Sequence, residues 1–192
     1  MRCEDVYKIF SSMPCLETER LILRKMCVSD CFDMFEYACK PEVTEYLSWS
    51  PHPSIEYTKR YLSYLKGHYR IGDFFDWAVV LKSENKMIGT CGFTRFNYNH
   101  DCGEVGYVIN PKYRGQGIAP EALLEVMRFG FDNLLLNRIE AKYIDGNEPS
   151  RRVMEKVGMR FEGIRYGEML IKGSYRDVGV CAVLKKDFEK KK

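Results

Sequence analysis

The chain has 192 residues, 45% of them hydrophobic and 30% charged, a balance that suits one folded domain with a sizeable core and excludes a disordered polymer. Its net charge of +3 is too small to argue for nucleic acid, and no apolar run approaches membrane-spanning length. The opening Met1-Arg2-Cys3-Glu4-Asp5 has acids where a signal peptide needs a basic segment and then an apolar one, so a cytoplasmic location is expected.

Residues 1–15 carry Val6, Ile9 and Phe10 at helical spacing and predict a short helix or arm ahead of the main domain, 16–188. From Leu16 to Met26, Leu21 and Leu23 alternate with Arg20, Ile22 and Arg24, as in a first strand. Ser29-Asp30 supplies a cap for a helix through Phe32, Met34, Phe35 and Ala38, which Pro41 stops. Residues 43–53 hold rings and prolines too closely spaced for regular structure. Ser54 and Glu56 open a second helix through about Tyr69.

Phe75, Trp77, Val79 and Leu81 predict a strand that turns at Glu84-Asn85-Lys86 and returns from Met87 to Phe96 as a hairpin. A central strand, Val105, Tyr107 and Ile109, ends at Pro111, and Arg138 to Ile144 forms the next. Asn147 opens a short helix with Pro149 in its first turn, Val153, Met154 and Val157 on its buried side and Gly158 at its end. A last hairpin starts at Met159, turns near Lys172-Gly173 and returns through Tyr175 to Leu184. Residues 189–192 form a solvated basic tail. The order predicts an α+β fold with a mixed, mostly antiparallel sheet and helices on both faces.

Between the central strand and its neighbour the period changes. Ala119, Ala122, Leu123, Val126, Met127 and Gly130 fall on one helical face, with Pro120 and Glu121 in the first turn. A helix therefore begins near Gly117, and its unpaired N–H groups, beside Lys112 and Arg114, suit an anion, most often a phosphate. The turn lacks the lysine and hydroxyl of a P-loop, and Pro120 holds the third-glycine position of the dinucleotide fingerprint, so neither motif applies. The eight cysteines show no Cys-x-x-Cys spacing and do not pair with His52, His68 or His100 at zinc spacings, which predicts reduced, mostly buried thiols and no metal.

The segment Arg114-Gly115-Gln116-Gly117-Ile118-Ala119 resembles the acyl-CoA pyrophosphate loop Arg/Gln-x-x-Gly-x-Gly/Ala of the GCN5-related N-acetyltransferases (GNAT). Glu17-Thr18-Glu19-Arg20-Leu21-Ile22-Leu23-Arg24 resembles the opening of the RimJ/RimL branch, enzymes that acetylate protein N-termini and related amines. Asn147 to Met159 is similar to the family's Asn-x-x-Ser helix, with Met159 in place of Phe, and Lys172 to Asp177 to its closing hairpin. The likeness covers about residues 16–188.

The resemblance implies central strands that splay apart, with the pantetheine of acetyl-CoA lying between them as an extra strand. Cofactor contacts then fall to Tyr107, Val108 and Ile109, to Arg114, Gly115, Gln116, Gly117, Ile118 and Ala119, and to Asn147 and Ser150. Gly106 would suit a bulge. Trp49, Phe93 and Glu104 fall on the acceptor side, where Trp49 either contacts the acceptor or caps a small core. Glu104 is the candidate base, acting through water, or else an exposed residue paired with a nearby cation. Relatives with a tyrosine acid have it where Met154 stands, so Ser150 is the candidate donor to the leaving thiolate, and Asn147 and Ser150 also suit a helix cap and first turn. An α-amine of pKa about 8 costs about 1.4 kcal/mol to deprotonate at neutral pH and a lysine of pKa about 10.4 about 4.6. The implied function is transfer of acetyl to a primary amine, a protein N-terminus of ribosomal type first and a polyamine, amino sugar or amino acid second. A non-catalytic acyl-CoA-binding module is the reading from another class. The chain is expected to be a monomer or homodimer.

Overall fold

A computed structural model describes residues 2–190, so Lys191 and Lys192 of the expected tail lie outside the described residues. In chain order the elements are α1 (Cys3–Ser11), β1 (Leu16–Glu17), β2 (Leu21–Arg24), α2 (Cys31–Ala38), α3 (Pro41–Thr44), α4 (Ile55–Ile71), β3 (Asp76–Leu81), β4 (Lys86–Asn97) and β5 (Cys102–Ile109). They continue as α5 (Ile118–Asp132), β6 (Arg138–Ile144), α6 (Glu148–Lys156), β7 (Arg160–Ile171), β8 (Ser174–Leu184) and α7 (Lys185–Glu189). The strands form one eight-stranded sheet in the order β1-β2-β3-β4-β5-β6-β8-β7. Every neighbouring pair is antiparallel except β5 and β6.

That one parallel pair is short. Cys102 to Val105 lie opposite Arg138 to Ala141, after which β5 runs on to Ile109 and β6 to Ile144 without pairing with each other. β5 stays paired with β4 as far as Ile109, and β6 with β8 as far as Ile144. The sheet is therefore split at one end, between Gly106–Ile109 and Lys142–Ile144, as the resemblance implied.

The two faces of the sheet are covered by different helices. Trp77 and Phe93 face α1 and α5, where Trp77 packs edge-on to Phe129 with ring centroids 5.4 Å apart and Phe10 of α1 joins them at 5.3 and 6.0 Å. Asp76 and Thr90 face the tyrosines of α2 and α4. Burying large side chains on both faces at once makes Trp77 to Val80 apolar throughout and removes the strict alternation a half-exposed strand would show.

Several expectations need correction. The stretch 16–26 is not one strand: the Thr18 hydroxyl accepts the Leu21 N–H at 3.0 Å and the chain reverses there, so β1 pairs back onto β2. Asp30 is the N-cap residue of α2 but its side chain makes no cap bond; its carboxylate takes both arms of the Arg24 guanidinium, at 2.8 and 2.7 Å, and the Cys27 N–H. Pro41, expected only to stop α2, begins α3, whose end at Thr44 enters the stretch expected to be irregular, because a residue without an N–H fits a first helical turn. Gly106 sits in regular register opposite Gly92, and the bulge falls on β4 at Thr94. Only Cys31, Cys91 and Cys181 of the eight cysteines are buried, since the others stand on loops and at the ends of helices or strands.

Candidate active site

Two glycines shape the turn into α5. Gly115 and Gly117 both have φ of +78°, a backbone that side-chain-bearing residues rarely adopt, and Gly117 is the N-cap. The N–H groups of the first turn have no intrahelical partners, and Pro120 has none to offer. An open cavity of about 550 Å³ lies against this turn, lined in part by Thr18, Gly117, Pro120, Leu124, Arg128 and Lys156.

Carboxylates tie the turn down from both ends. Glu121, in the first turn of α5, accepts from the Arg20 amide at 3.1 Å and from its guanidinium Nε at 2.7 Å, and the Thr18 hydroxyl also donates to it. Burial opposes its charge, but these donors outweigh burial and lower its pKa. Arg20 also donates to the Gln116 carbonyl at 2.9 Å. At the other end the fully buried Asn110 accepts from the Lys112 N–H at 3.1 Å and donates to Glu36 of α2 at 3.2 Å. Lys112 and Lys86 bind Glu36 at 2.7 and 2.6 Å and hold its pKa down at about 2. Arg114 turns its Nε back to the Ile109 carbonyl at 3.3 Å.

The free edge of β5 leads into this turn. Tyr107, in the split part of the strand, donates its hydroxyl to the Ser150 carbonyl at 2.8 Å and lies 3.0 Å from the Ser150 Oγ. Burial pushes the Tyr107 hydroxyl pKa up, so it stays protonated at any physiological pH. Asn147 is the N-cap of α6, and its side chain accepts the Ser150 N–H at 3.4 Å. Met154, one turn on, is buried in the core.

Glu104 lies on the other face of β5. The Thr94 bulge brings Arg95 opposite it, and one carboxylate oxygen receives Arg95 Nη2 at 2.6 Å and Lys142 Nζ at 3.5 Å while Thr94 Oγ1 donates to the other at 3.0 Å. Its side chain is 12% exposed, so it is a paired carboxylate but not an exposed one. Phe93 is not brought to it. Phe93 points to the α5 face, where a Cβ on Gly130 would come 2.7 Å from its ring, and packs on Phe96. Trp49 packs against the core, 5.4 Å from the ring of His52, which is also edge-on to Tyr57 and Tyr61. Burial lowers the His52 pKa, and its Nδ1 lies 2.8 Å from the Thr58 hydroxyl.

Sequence reasoning missed the Tyr107–Ser150 contact, the Lys142 partner of Glu104 and the Glu36 and Glu121 anchors. The pattern signals Glu121 as a first-turn acid, but nothing local signals a contact spanning tens of residues. Among the described residues no group of three or more His, Cys, Asp or Glu side chains is arranged to hold a metal ion, and no helix is long and apolar enough to cross a membrane.

With this geometry in view, comparisons with known proteins are informative. The family model described as Acetyltransferase (GNAT) domain matches residues 20–160. The chain is similar to the uncharacterized N-acetyltransferase p20 of Bacillus licheniformis, with 31% identity over 92% of this chain and 99% of that protein. It is also similar to the [ribosomal protein uS5]-alanine N-acetyltransferase of Escherichia coli, with 26% identity over 90% and 92% of the two chains. Among solved structures, a GNAT-family acetyltransferase from Bacillus anthracis superposes with a TM-score of 0.80 at 31% identity, covering 90% of this chain and 99% of that one. The ribosomal-protein-S5-alanine acetyltransferase of Vibrio fischeri superposes with a TM-score of 0.76 at 26% identity, covering 91% and 98%.

Proposed function

Because this chain belongs to the GNAT acetyltransferase family, and so is an N-acetyltransferase, we propose that it moves acetyl from acetyl-CoA to the α-amine of a protein N-terminus of ribosomal type. The observation that carries the proposal is the strand edge left free from Gly106 to Ile109, which runs directly into a helix start opened by two left-handed glycines. An extended amide chain can pair along that edge while its diphosphate meets the N–H groups of Gln116 to Ala119. Arg114 adds positive charge there, whereas the Lys112 ammonium is paired with Glu36. A side chain at Gly115 or Gly117 would be strained at the observed φ, so the turn fits a group that approaches the backbone closely.

The chemistry then divides by face. On the α5 face the Ser150 hydroxyl, steadied by Tyr107, is the donor for the leaving thiolate, and Asn147 both caps α6 and faces the pantetheine. On the opposite face Glu104 is held by Arg95, Lys142 and Thr94, so any proton relay through it must share one of those bonds. Such a carboxylate suits an acceptor that needs little help. An α-amine, about 1.4 kcal/mol from its neutral form at pH 7, meets that condition better than a lysine at about 4.6. The similarity to two proteins named as uS5-alanine acetyltransferases supports the same acceptor class.

The test is release of thiol from acetyl-CoA with N-terminal peptides, spermidine and an amino sugar in parallel. Peptides are expected to lead in kcat/KM. A chain that prefers spermidine or the sugar is a small-molecule acetyltransferase, and one that binds acetyl-CoA but releases no thiol with any amine is a binding module.

A further inference from the structure

Past the apex of the split, the face of the sheet that carries Glu104 leads to another cavity. The last β5–β6 pair is Val105 with Ala141, and Ile144 stands three residues further along β6, roughly 10 Å on. Lys142 reaches Glu104, so Ile144, two residues beyond it, lies on the same face. Ile144 is opposite Val178 of β8. Arg176 and Ser174 precede Val178 by two and four residues, which sets them on that face as well. The cavity, of about 120 Å³, is lined by Ile144, Ser174 and Arg176 together with Ile171, Lys172 and Glu45.

Two distant parts of the chain wall it in. Lys172, at the turn of the β7–β8 hairpin, donates from Nζ to the Thr44 carbonyl at 2.6 Å and so pins the hairpin to the end of α3. The side chains of Arg176, Ser174 and Glu45 form no hydrogen bond or ion pair with any described residue. Two cations thus stand against one carboxylate, and positive charge is in excess.

This lining suits one kind of group. Ile144 and Ile171 offer apolar wall to a short methylene stem. The unspent guanidinium can take both oxygens of a carboxylate in a fork, and the Ser174 hydroxyl can add a third bond. A basic side chain would meet Arg176 and Lys172, and an apolar one would leave the guanidinium unpaired. The volume is that of about four water molecules, enough for a carboxyl and its stem.

We propose that this cavity takes an acidic side chain from the second or third residue of the acceptor, with Arg176 as the residue that selects it. The assignment rests on the N-terminal acceptor reading above and adds a sequence preference to it. An extended peptide advances about 3.3 Å per residue, so a chain whose amine sits at the apex beside Glu104 brings its second or third side chain to Ile144. The hairpin and α3 then hold the acceptor from either side.

The test is thiol release from acetyl-CoA with synthetic peptides that begin with alanine and carry glutamate, glutamine or lysine at the second or at the third place. The unaltered chain should favour glutamate over glutamine about tenfold in kcat/KM at one of those places, through KM, and should place lysine last. Arg176→Glu should invert the order, with lysine ahead of glutamate, and Arg176→Lys should keep glutamate first by a smaller factor. A merely structural role for Arg176 would slow all the peptides alike, and that result overturns the assignment. Acetyl-CoA affinity by calorimetry should stay within about twofold in both variants, and a loss of about tenfold would put the cofactor in the cavity and overturn the assignment too. Peptides acetylated with no preference at either place overturn it while the N-terminal acceptor reading stands. Spermidine acetylated with no peptide acetylated overturns both.

Discussion

At the turn from Asn110 to Gly117 the anchoring carboxylates are each held by several donors, Glu36 by Lys86, Lys112 and Asn110 and Glu121 by Thr18 and Arg20. Beneath α2 and α4, Asp76 Oδ1 and the Tyr37 hydroxyl are buried without a hydrogen-bond partner. The first region keeps its backbone fixed, and a fixed backbone requires satisfied neighbours. In the second, burial outweighs the Thr90 hydroxyl and the Trp77 amide that favour the charged form of Asp76, and pushes its pKa up to about 7.

The largest effect should come from breaking the first region at its backbone. Gly117→Glu forces a side chain onto φ of +78° and sets a negative charge where the diphosphate is proposed to sit. A Cβ there meets only Arg20 Nη2 at 3.5 Å, so the fold has room for it. Acetyl-CoA affinity by calorimetry should fall at least about 100-fold, equivalent to about 2.7 kcal/mol, while the unfolding temperature changes by a few degrees at most. Unchanged affinity would reject the diphosphate assignment.

Asp76→Asn should make the opposite point about stability. A carboxyl raised from 3.8 to about 7 holds its proton in the folded chain over a range in which the unfolded chain releases it. Folding is therefore favoured by Asp76 below about pH 4 and loses that contribution as pH rises through about 7. Asp76→Asn should match the unaltered chain in denaturant melts at pH 4 and exceed it at pH 8 by on the order of 3 kcal/mol. Equal stability at both pH values would mean that the carboxyl is not strained.

Glu36→Gln tests the first region with the reverse sign. Here Lys112 and Lys86 depress the pKa from 4.5 to about 2, so the stabilisation is complete above about 4.5 and lost as pH falls through about 2. The variant should cost on the order of 2 kcal/mol at pH 7, with the difference gone in melts near pH 2. Because Glu36 also fixes Asn110 at the start of the turn, acetyl-CoA affinity should weaken several-fold.

The contrast between the regions is also a contrast in legibility. The turn could be read because its information is contiguous: Arg114 to Ala119 carries the glycines, the helix start and the charge in six neighbouring residues. The surroundings of Asp76 could not, because Asp76 and Gly92 meet only through the register of two strands. The Thr94 bulge, which sets Arg95 against Glu104, has no sequence mark either, and the glycine that suggested a bulge at 106 stands in regular register opposite Gly92. Element types followed from periodicity almost throughout. The break at Thr18 did not, because one side-chain hydroxyl reverses a stretch whose alternation reads as continuous.

The smallest effect distinguishes a partnered hydroxyl from an orphan one beside the same carboxyl. Tyr69 accepts the Met26 N–H at 3.1 Å and donates to the Asp76 carbonyl at 2.7 Å, so Tyr69→Phe strands two backbone groups and should cost about 1–2 kcal/mol. Tyr37 is 1% exposed, and its hydroxyl has no partner to lose. Tyr37→Phe removes only the cost of burying that group, so it should leave stability unchanged or raise it by up to about 1 kcal/mol. Denaturant melts of both variants at pH 7 give the answer. If Tyr37→Phe costs as much as Tyr69→Phe, the Tyr37 hydroxyl is bonded in solution, by a trapped water or by Asp76 itself.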